Sequence, residues 1–145
     1  MPIKDCPFTL CRGGIYRPML PIRIINPHID GGVYRTIGLI DTGADECAIP
    51  AAYAAILGHN LLSGQSTQIG TGNGITTAYS HSTTIEIYDP TTRDIGYRLD
   101  ETPIDFMPNL AVVLLGVKSF LDRFILTIDY CHVNQEMSFR PQGEI

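Results

Sequence analysis

The sequence has no long apolar run, no cluster of basic residues and no apolar segment near its N-terminus. No stretch approaches the roughly 18 apolar residues that a membrane-spanning helix needs, so we expect no membrane partner. Fifteen acidic residues against ten basic ones give a formal net charge of -5. We expect no nucleic-acid partner, because phosphate backbones require a basic surface. The lack of a signal-peptide segment favours a cytoplasmic location.

Cysteine and histidine are sparse, and their spacing does not form a metal site. Cys6 and Cys11 lie far from Cys131, whereas structural zinc sites use tightly paired ligands. Without an export signal, the four cysteines are expected to be free thiols. His59 and His81 have no serine or cysteine in a nucleophile context and are interpreted, like the other histidines, as surface residues. We therefore expect no metal and no other cofactor.

Glycine and proline, by contrast, are frequent. There are 14 Gly and 10 Pro in 145 residues, and turn-forming residues at this density favour many short strands over long helices. Hydrophobic residues make up 44% of the chain, which is enough for a packed core. Because soluble domains cluster near this length, we predict a single all-β domain over residues 1–145.

Alternation of apolar and other residues predicts the first strands. Leu20, Ile22 and Ile24 recur at every second position of the segment 19–25, which is the pattern of a half-buried strand. A second strand is expected over 33–40. Further strands are expected over 82–88, 95–99 and 125–130.

Three other segments have distinct patterns. Asn73 and Gly74 form the dipeptide best suited to a tight hairpin turn, because both central positions need positive φ. The continuous apolar run 111–116 is typical of a strand buried on both faces. Asp105 is interpreted as a solvated loop acid and not as a metal ligand.

Two short helices are predicted between the strands. Pro50 suits the first position of a helix, and the alanine-rich segment 51–57 ends at Gly58, a common helix terminator. In the segment 117–124, apolar residues recur at i, i+3, i+4 and i+7. That spacing places them on one face of a second short helix.

The segment Leu-Ile-Asp-Thr-Gly-Ala-Asp over 39–45 carries the chemistry. Apolar residues lead Asp41 out of the core at the end of a strand, and Thr42 can form a hydrogen bond at the same level. Gly43 permits a sharp turn and a close approach of the backbone. Taken alone, the tripeptide is equally compatible with an ordinary turn, because turns favour these residue types.

The chain resembles the retropepsin family of aspartic proteases in four segments between residues 17 and 130. The segment 17–24 is similar to the arginine-proline start of the family's second strand, and 39–45 is similar to its active-site motif. The segment 69–75 resembles the glycine-rich flap, and 114–116 resembles the two apolar residues and glycine behind the active-site loop. The resemblance implies a small closed β-barrel-like acid protease fold with one or two short helices, one lobe per chain, and aspartic endopeptidase activity.

The resemblance also implies roles for individual residues. Asp41 would be the catalytic carboxylate, Thr42 would brace the two loops of a dimer, and Gly43 would let the backbone approach the catalytic pair. Ala44 and Asp45 would bind the peptide substrate. The flap would close over the substrate, and its residues are Ile69, Gly70, Thr71, Gly72, Asn73 and Gly74. The loop and the dimer would be supported by Arg17, Leu114, Leu115 and Gly116. Asp45 would pair with Arg17 of the partner subunit.

The single Asp-Thr-Gly predicts a homodimer. Peptide hydrolysis of this type needs two neighbouring carboxylates, one acting as general base on water and the other as general acid. The chain has no second Asp-Thr-Gly or Asp-Ser-Gly. Two chains must therefore bring Asp41 to face its own copy about a twofold axis. Because the pair shares a proton, activity is expected to favour mildly acidic pH. The segment 137–140 is a candidate for strand pairing between subunits.

The sequence departs from the family pattern at several positions. Val117 stands where many members have an arginine that braces the second acid of the motif, and neither Lys118 nor Arg123 falls on that position. Thr71 and Asn73 make the flap tip less apolar. These departures keep open an alternative, a catalytically idle homodimer of the same fold that binds a peptide or partner protein. A costly pair of facing carboxylates is of little use to such a binding module, which favours the enzyme.

Overall fold

The computed structural model describes residues 2–72 and 74–142 and consists mainly of strands. One short helix, α1, is present together with three turns of 3-10 helix over Arg12–Gly14, Leu61–Ser63 and Leu121–Arg123. Among the described residues, no helix has the length and apolar character needed to cross a membrane. In chain order, the elements are β1 (Ile3–Pro7), β2 (Thr9–Leu10), β3 (Tyr16–Arg17), β4 (Met19–Ile25), β5 (Val33–Ile40), β6 (Ala48–Pro50), α1 (Tyr53–Ile56), β7 (Gln65–Thr71), β8 (Gly74–Tyr88), β9 (Ile95–Met107), β10 (Val113–Leu115), β11 (Phe124–Asp129) and β12 (Glu136–Pro141).

Six strands close into a barrel. Their order is β4-β5-β10-β6-β9-β8, and β8 pairs back with β4. The closing pairs run from Ile22 opposite Ile87 to Ile25 opposite Thr84. Closure leaves these strands without free edges. The all-β, closed barrel-like fold expected from the sequence is confirmed.

The core fills the barrel and continues beneath the terminal strands. Leu20, Ile22 and Ile24 are buried, as their alternation predicts. They belong to one apolar cluster that also contains Phe106 of β9 and Phe139 of β12. The barrel and the terminal sheet are therefore held together by burial of shared apolar surface.

The apolar run 111–116 forms a shorter strand than expected, and its faces differ. β10 lies parallel to β5 and antiparallel to β6. Val113 and Leu115 are fully buried, whereas Leu114 between them is only partly buried. The expectation of burial on both faces was wrong at Leu114, because this side chain points to a surface groove.

Both predicted helices are shorter than their sequence patterns indicate. Pro50 ends β6, which pairs with β9, so the first helix begins only at Tyr53. In the second segment, Ser119 has a φ of 70°, which breaks the helical path. Only the 3-10 turn Leu121–Arg123 forms there. Phe120 and Leu121 are nevertheless buried, so the apolar face is used without a full helix.

The terminal strands pair within the chain. In the order β1-β12-β11, the central strand β12 has a neighbour on each side. The expectation that 137–140 pairs between subunits was wrong for this reason, since both edges of that segment are occupied. Among the described strands of this sheet, the outer edges of β1 and β11 are the ones that lack a neighbour.

Candidate active site

Asp41 follows β5 directly, where the chain leaves the barrel. Its N–H donates to the carbonyl of Leu115 at 3.2 Å, and its own carbonyl accepts from the N–H of Ala44 at 3.2 Å. The N–H of Gly43 donates to Oδ1 of Asp41 at 3.0 Å. The Asp41 side chain is partly exposed. These bonds form a tight turn that presents the carboxylate at the barrel surface.

The turn after β10 holds this loop from behind. Val117 N–H donates to the Ala44 carbonyl at 3.0 Å, and Lys118 N–H donates to the Asp45 carbonyl at 2.8 Å. A Cβ on Gly116 would lie 2.5 Å from the carbonyl oxygen of Glu46 and 2.7 Å from that of Ala44. Only glycine fits so close to two backbone oxygens. The structure thus places the segment 114–116 directly behind the Asp41 loop.

β7 and β8 form a long hairpin whose tip corresponds to the expected flap. The register runs from Gln65 opposite Ser80 to Thr71 opposite Gly74. Gly72 lies in the turn after β7, and Asn73 of the predicted turn lies outside the described residues. Gly74 has a φ of 112°, so the left-handed conformation expected of this position is present at the strand end.

A groove of about 360 Å³ lies between the Asp41 loop and the hairpin. Ile69 and Gly70 of the hairpin face the loop across it. Of the other predicted substrate-binding residues of the flap, Gly72 and Gly74 are not among the described residues that line the groove. The lining residues are Gly43, Ala44, Asp45, Glu46, Ala48, Thr67, Ile69, Gly70, Asp105, Met107 and Leu114.

The acidic residue Asp45 has no cationic partner within the described part of the chain. It is exposed, and so is Arg17. Of the two bases near Gly116, Lys118 pairs with Glu46 at 3.2 Å and Arg123 pairs with the neighbouring Asp122. The substitution of valine at position 117 is therefore not compensated inside one chain.

Asp105 is a site residue that the sequence interpretation missed. It lies within β9, paired with Ala48 of β6 and Ser80 of β8, and not in a loop. Its side chain is partly buried and lines the groove. Burial, and to a smaller extent the charge of Glu46, raises the pKa of the Asp105 carboxyl. The alternation of buried Ile104 and Phe106 around it was the available signal for a longer strand.

No metal site accompanies these acids. In the described ranges, no group of three or more His, Cys, Asp or Glu side chains is arranged to hold a metal ion.

The Cys47 thiol is buried behind the Asp41 loop. Its sulfur accepts the N–H of Gly116 at 3.4 Å, and burial raises the pKa of this thiol. Burial likewise raises the pKa of Cys6 to about 11, whereas Cys131 is exposed.

Iodoacetamide is therefore expected to label Cys131 in the native protein and to spare Cys47 and Cys6, because the reactive species is the exposed thiolate. Mass spectrometry after timed labelling measures this directly. Labelling in denaturant is the control, and all four thiols should react there. Equal native rates for Cys47 and Cys131 would show that the loop opens readily.

A stacked histidine pair lies at the base of the hairpin, in contrast to the expected surface positions. The rings of His59 and His81 are 4.6 Å apart, and both meet the edge or face of Phe106. His81 Nε2 lies 2.9 Å from the Leu61 carbonyl, just before β7. Burial, then the nearby His81 and His28, lower the pKa of His59.

Acidification from pH 7.5 to 5 is expected to lower the melting temperature. Below the unperturbed pKa of 6.5, His59 is protonated in the unfolded chain, whereas the folded chain resists this protonation. The stability that neutral His59 contributes is therefore present above pH 6.5 and is lost as the pH falls below it. Calorimetry across this range measures the slope. His59→Gln should flatten it, whereas His132→Gln, at an exposed position, should not.

Comparisons with known proteins bear on the fold. No protein-family model matches the sequence, and no curated protein matches it. The EIAV protease complexed with the inhibitor HBY-793 aligns with 77% of this chain and 92% of its own, at 21% identity and a TM-score of 0.47. A retropepsin-like aspartic protease from Rickettsia conorii aligns with 92% of this chain and 95% of its own, at 20% identity and a TM-score of 0.59. The alignment with the Rickettsia conorii protein shows that the chain has a retropepsin-like fold.

Proposed function

We propose that the protein is an aspartic endopeptidase that acts as a homodimer, with one Asp41 from each chain forming the catalytic pair. The observation that carries this proposal is the setting of Asp41. Its carboxylate is held by the Gly43 N–H at the end of β5, and the residues that follow it, Gly43 to Glu46, line a groove that a hairpin borders. The retropepsin-like fold supports the same reading. Residues 1–145 would then form one protease domain.

Two facing Asp41 carboxylates provide both halves of acid-base catalysis. Ionising the second next to the first is costly, so the pair holds one proton between them. The ionised carboxylate takes a proton from water as the water oxygen attacks the peptide carbonyl carbon, and the protonated one donates to the carbonyl oxygen. Proton transfer to the amide nitrogen then lets the C–N bond break. The pair titrates as a unit, which favours mildly acidic pH.

The hairpin and the groove suit an extended peptide. Gly70 has open space where a side chain would project, so a substrate backbone can approach β7 and form main-chain hydrogen bonds of the strand-addition type. Movement of the hairpin tip toward the Asp41 loop would exclude bulk water from the reacting bond. The flap role of residues 69–74 is part of this proposal.

Within its described residues, the surface of one chain has a free strand edge and unpaired charges, which a second copy of the chain could pair with. The outer edge of β11 lacks a strand neighbour in the described structure, and unpaired strand edges readily add another strand. Ile125 on this strand is 39% exposed. Asp45 and Arg17 are both exposed charges. In the proposed dimer, Arg17 of the partner subunit supplies the cation that Asp45 lacks within its own chain.

The test incubates the wild-type protein and the Asp41→Asn variant with a random-peptide library between pH 4 and 7. The wild type is expected to cleave, most strongly in the acidic part of the range, and the variant is not. Sedimentation velocity on both proteins measures the dimer. A wild-type protein that cleaves as a monomer would contradict the shared pair. If both proteins form dimers and neither cleaves any peptide, the catalytically idle peptide-binding alternative is favoured.

A further inference from the structure

We propose that the groove beside the Asp41 loop selects a peptide with a long cationic side chain, arginine or lysine, and that Asp105 binds the charged end of that side chain. This inference rests on the proposed endopeptidase function and names the substrate class for the same site. It assigns a role to Asp105, which lies outside the Asp-Thr-Gly motif.

The groove combines apolar walls with a carboxylate. Ile69 lies on the hairpin side, and Met107 and Leu114 come from the strands of the barrel. Asp105 lines the same space. Arginine and lysine carry an apolar stem of three or four methylenes and a charged end, so the stem can pack on apolar walls while the end meets an acid. A volume of about 360 Å³ accommodates one such side chain.

The backbone fixes the position of Asp105. Asp105 pairs with Ala48 of β6 on one side and with Ser80 of β8 on the other. The neighbouring side chains Ile104 and Phe106 are buried on the opposite face of β9, so the period of the strand directs Asp105 away from the core. The carboxylate therefore belongs to the groove surface and not to a mobile loop.

The local charge is negative and only partly balanced. Glu46 and Asp45 line the groove with Asp105, and a larger adjoining cavity of about 500 Å³ shares Glu46 and Asp105 and adds Lys118. Lys118 binds Glu46. Within the described residues, no base pairs with Asp105. The raised pKa of Asp105 indicates that its ionised form lacks compensation, which a bound cation would supply.

Apolar and acidic side chains of a substrate fit the groove less well than cationic ones. An apolar side chain would cover Asp105 without giving it a hydrogen-bond donor, and an unpaired polar group in a closed site is costly. An acidic side chain would add a like charge next to Glu46 and Asp105. The expected order of preference is therefore arginine or lysine, then norleucine, then glutamate.

The test measures peptide binding in the Asp41→Asn background, which keeps the groove and prevents cleavage. Octapeptides are prepared in sets in which each position in turn is fixed as arginine, lysine, norleucine or glutamate. Fluorescence anisotropy is expected to show one position where arginine or lysine binds about tenfold or more tightly than norleucine, the size expected for a charge-assisted hydrogen bond. Cleavage of the same sets by the wild-type protein should show the same preference.

Three further variants make the measurement specific to Asp105. Asp105→Asn should remove the cationic preference while norleucine peptides bind as before. Lys118→Ala should increase the preference for cationic side chains, because Glu46 then loses its intramolecular partner. The Lys118 side chain is 71% exposed, so folding should tolerate the change. Asp30→Asn, at an exposed turn position, removes the same charge elsewhere and should change nothing.

The outcomes separate this inference from the proposed function. Cationic preference that depends on Asp105, with no cleavage by the wild type, would support the inference and reject the endopeptidase. Cleavage without a cationic preference, or with one that survives Asp105→Asn, would overturn the inference and leave the endopeptidase standing. Failure of every peptide to bind the Asp41→Asn protein would also overturn the inference.

Discussion

Replacement of Asp41 by asparagine is expected to lower the rate of peptide cleavage by about three orders of magnitude or more, because general acid-base catalysis is lost at both positions of the proposed pair. Asparagine has nearly the same shape, and its side-chain oxygen can still accept the Gly43 N–H that Asp41 Oδ1 accepts at 3.0 Å. The free energy of unfolding and the dimer should therefore change little. Initial rates on a cleaved library peptide, together with urea denaturation, measure both quantities.

Mixed dimers make the same substitution a test of shared catalysis. When wild-type and Asp41→Asn chains are refolded together in equal amounts, about one quarter of the dimers carry two Asp41 residues, as random pairing in a twofold dimer requires. Activity per total protein should fall to about that fraction if both carboxylates are needed. A fall to about one half would mean that each chain works alone. Refolding with Asp30→Asn chains is the control, and it should leave the activity unchanged.

Gly116→Ala is expected to destabilise the fold by about 3 kcal/mol, at the upper end of typical overpacking costs. The added methyl group would lie 2.5 Å from the Glu46 carbonyl oxygen and 2.7 Å from that of Ala44, so backbone must move. That movement strains the hydrogen bonds from Val117 to Ala44 and from Lys118 to Asp45. Because these bonds position the Asp41 loop, activity should fall further than the loss of folded protein explains.

Urea denaturation of Gly116→Ala should show a lower midpoint with an unchanged slope. Gly70→Ala is the matched control, because a Cβ at Gly70 meets no atom within 4 Å. Its unfolding midpoint should stay close to that of the wild type. An unchanged midpoint for Gly116→Ala would contradict the tight contact between the turn after β10 and the Asp41 loop.

Short-range patterns in the sequence were sufficient for much of the fold. The alternation of Leu20, Ile22 and Ile24 predicted both a strand and its buried face, because side chains alternate along any strand. The position of Asp41 at the end of β5 was likewise readable, since apolar residues lead directly into a turn-forming tripeptide. These features depend on neighbours within a few residues, and such neighbours are visible in a single sequence.

Contacts between distant segments decided the rest. The insertion of β10 between β5 and β6 is a pairing of segments far apart in the chain, and it leaves Leu114 on a groove instead of in the core. The same barrel brings Asp105 beside Glu46, which no local pattern could indicate. β12 lies between β1 and β11, so the terminal strands pair within the chain. Which carboxylates share a surface depends on strand order and register, and these are set by burial of the whole apolar cluster.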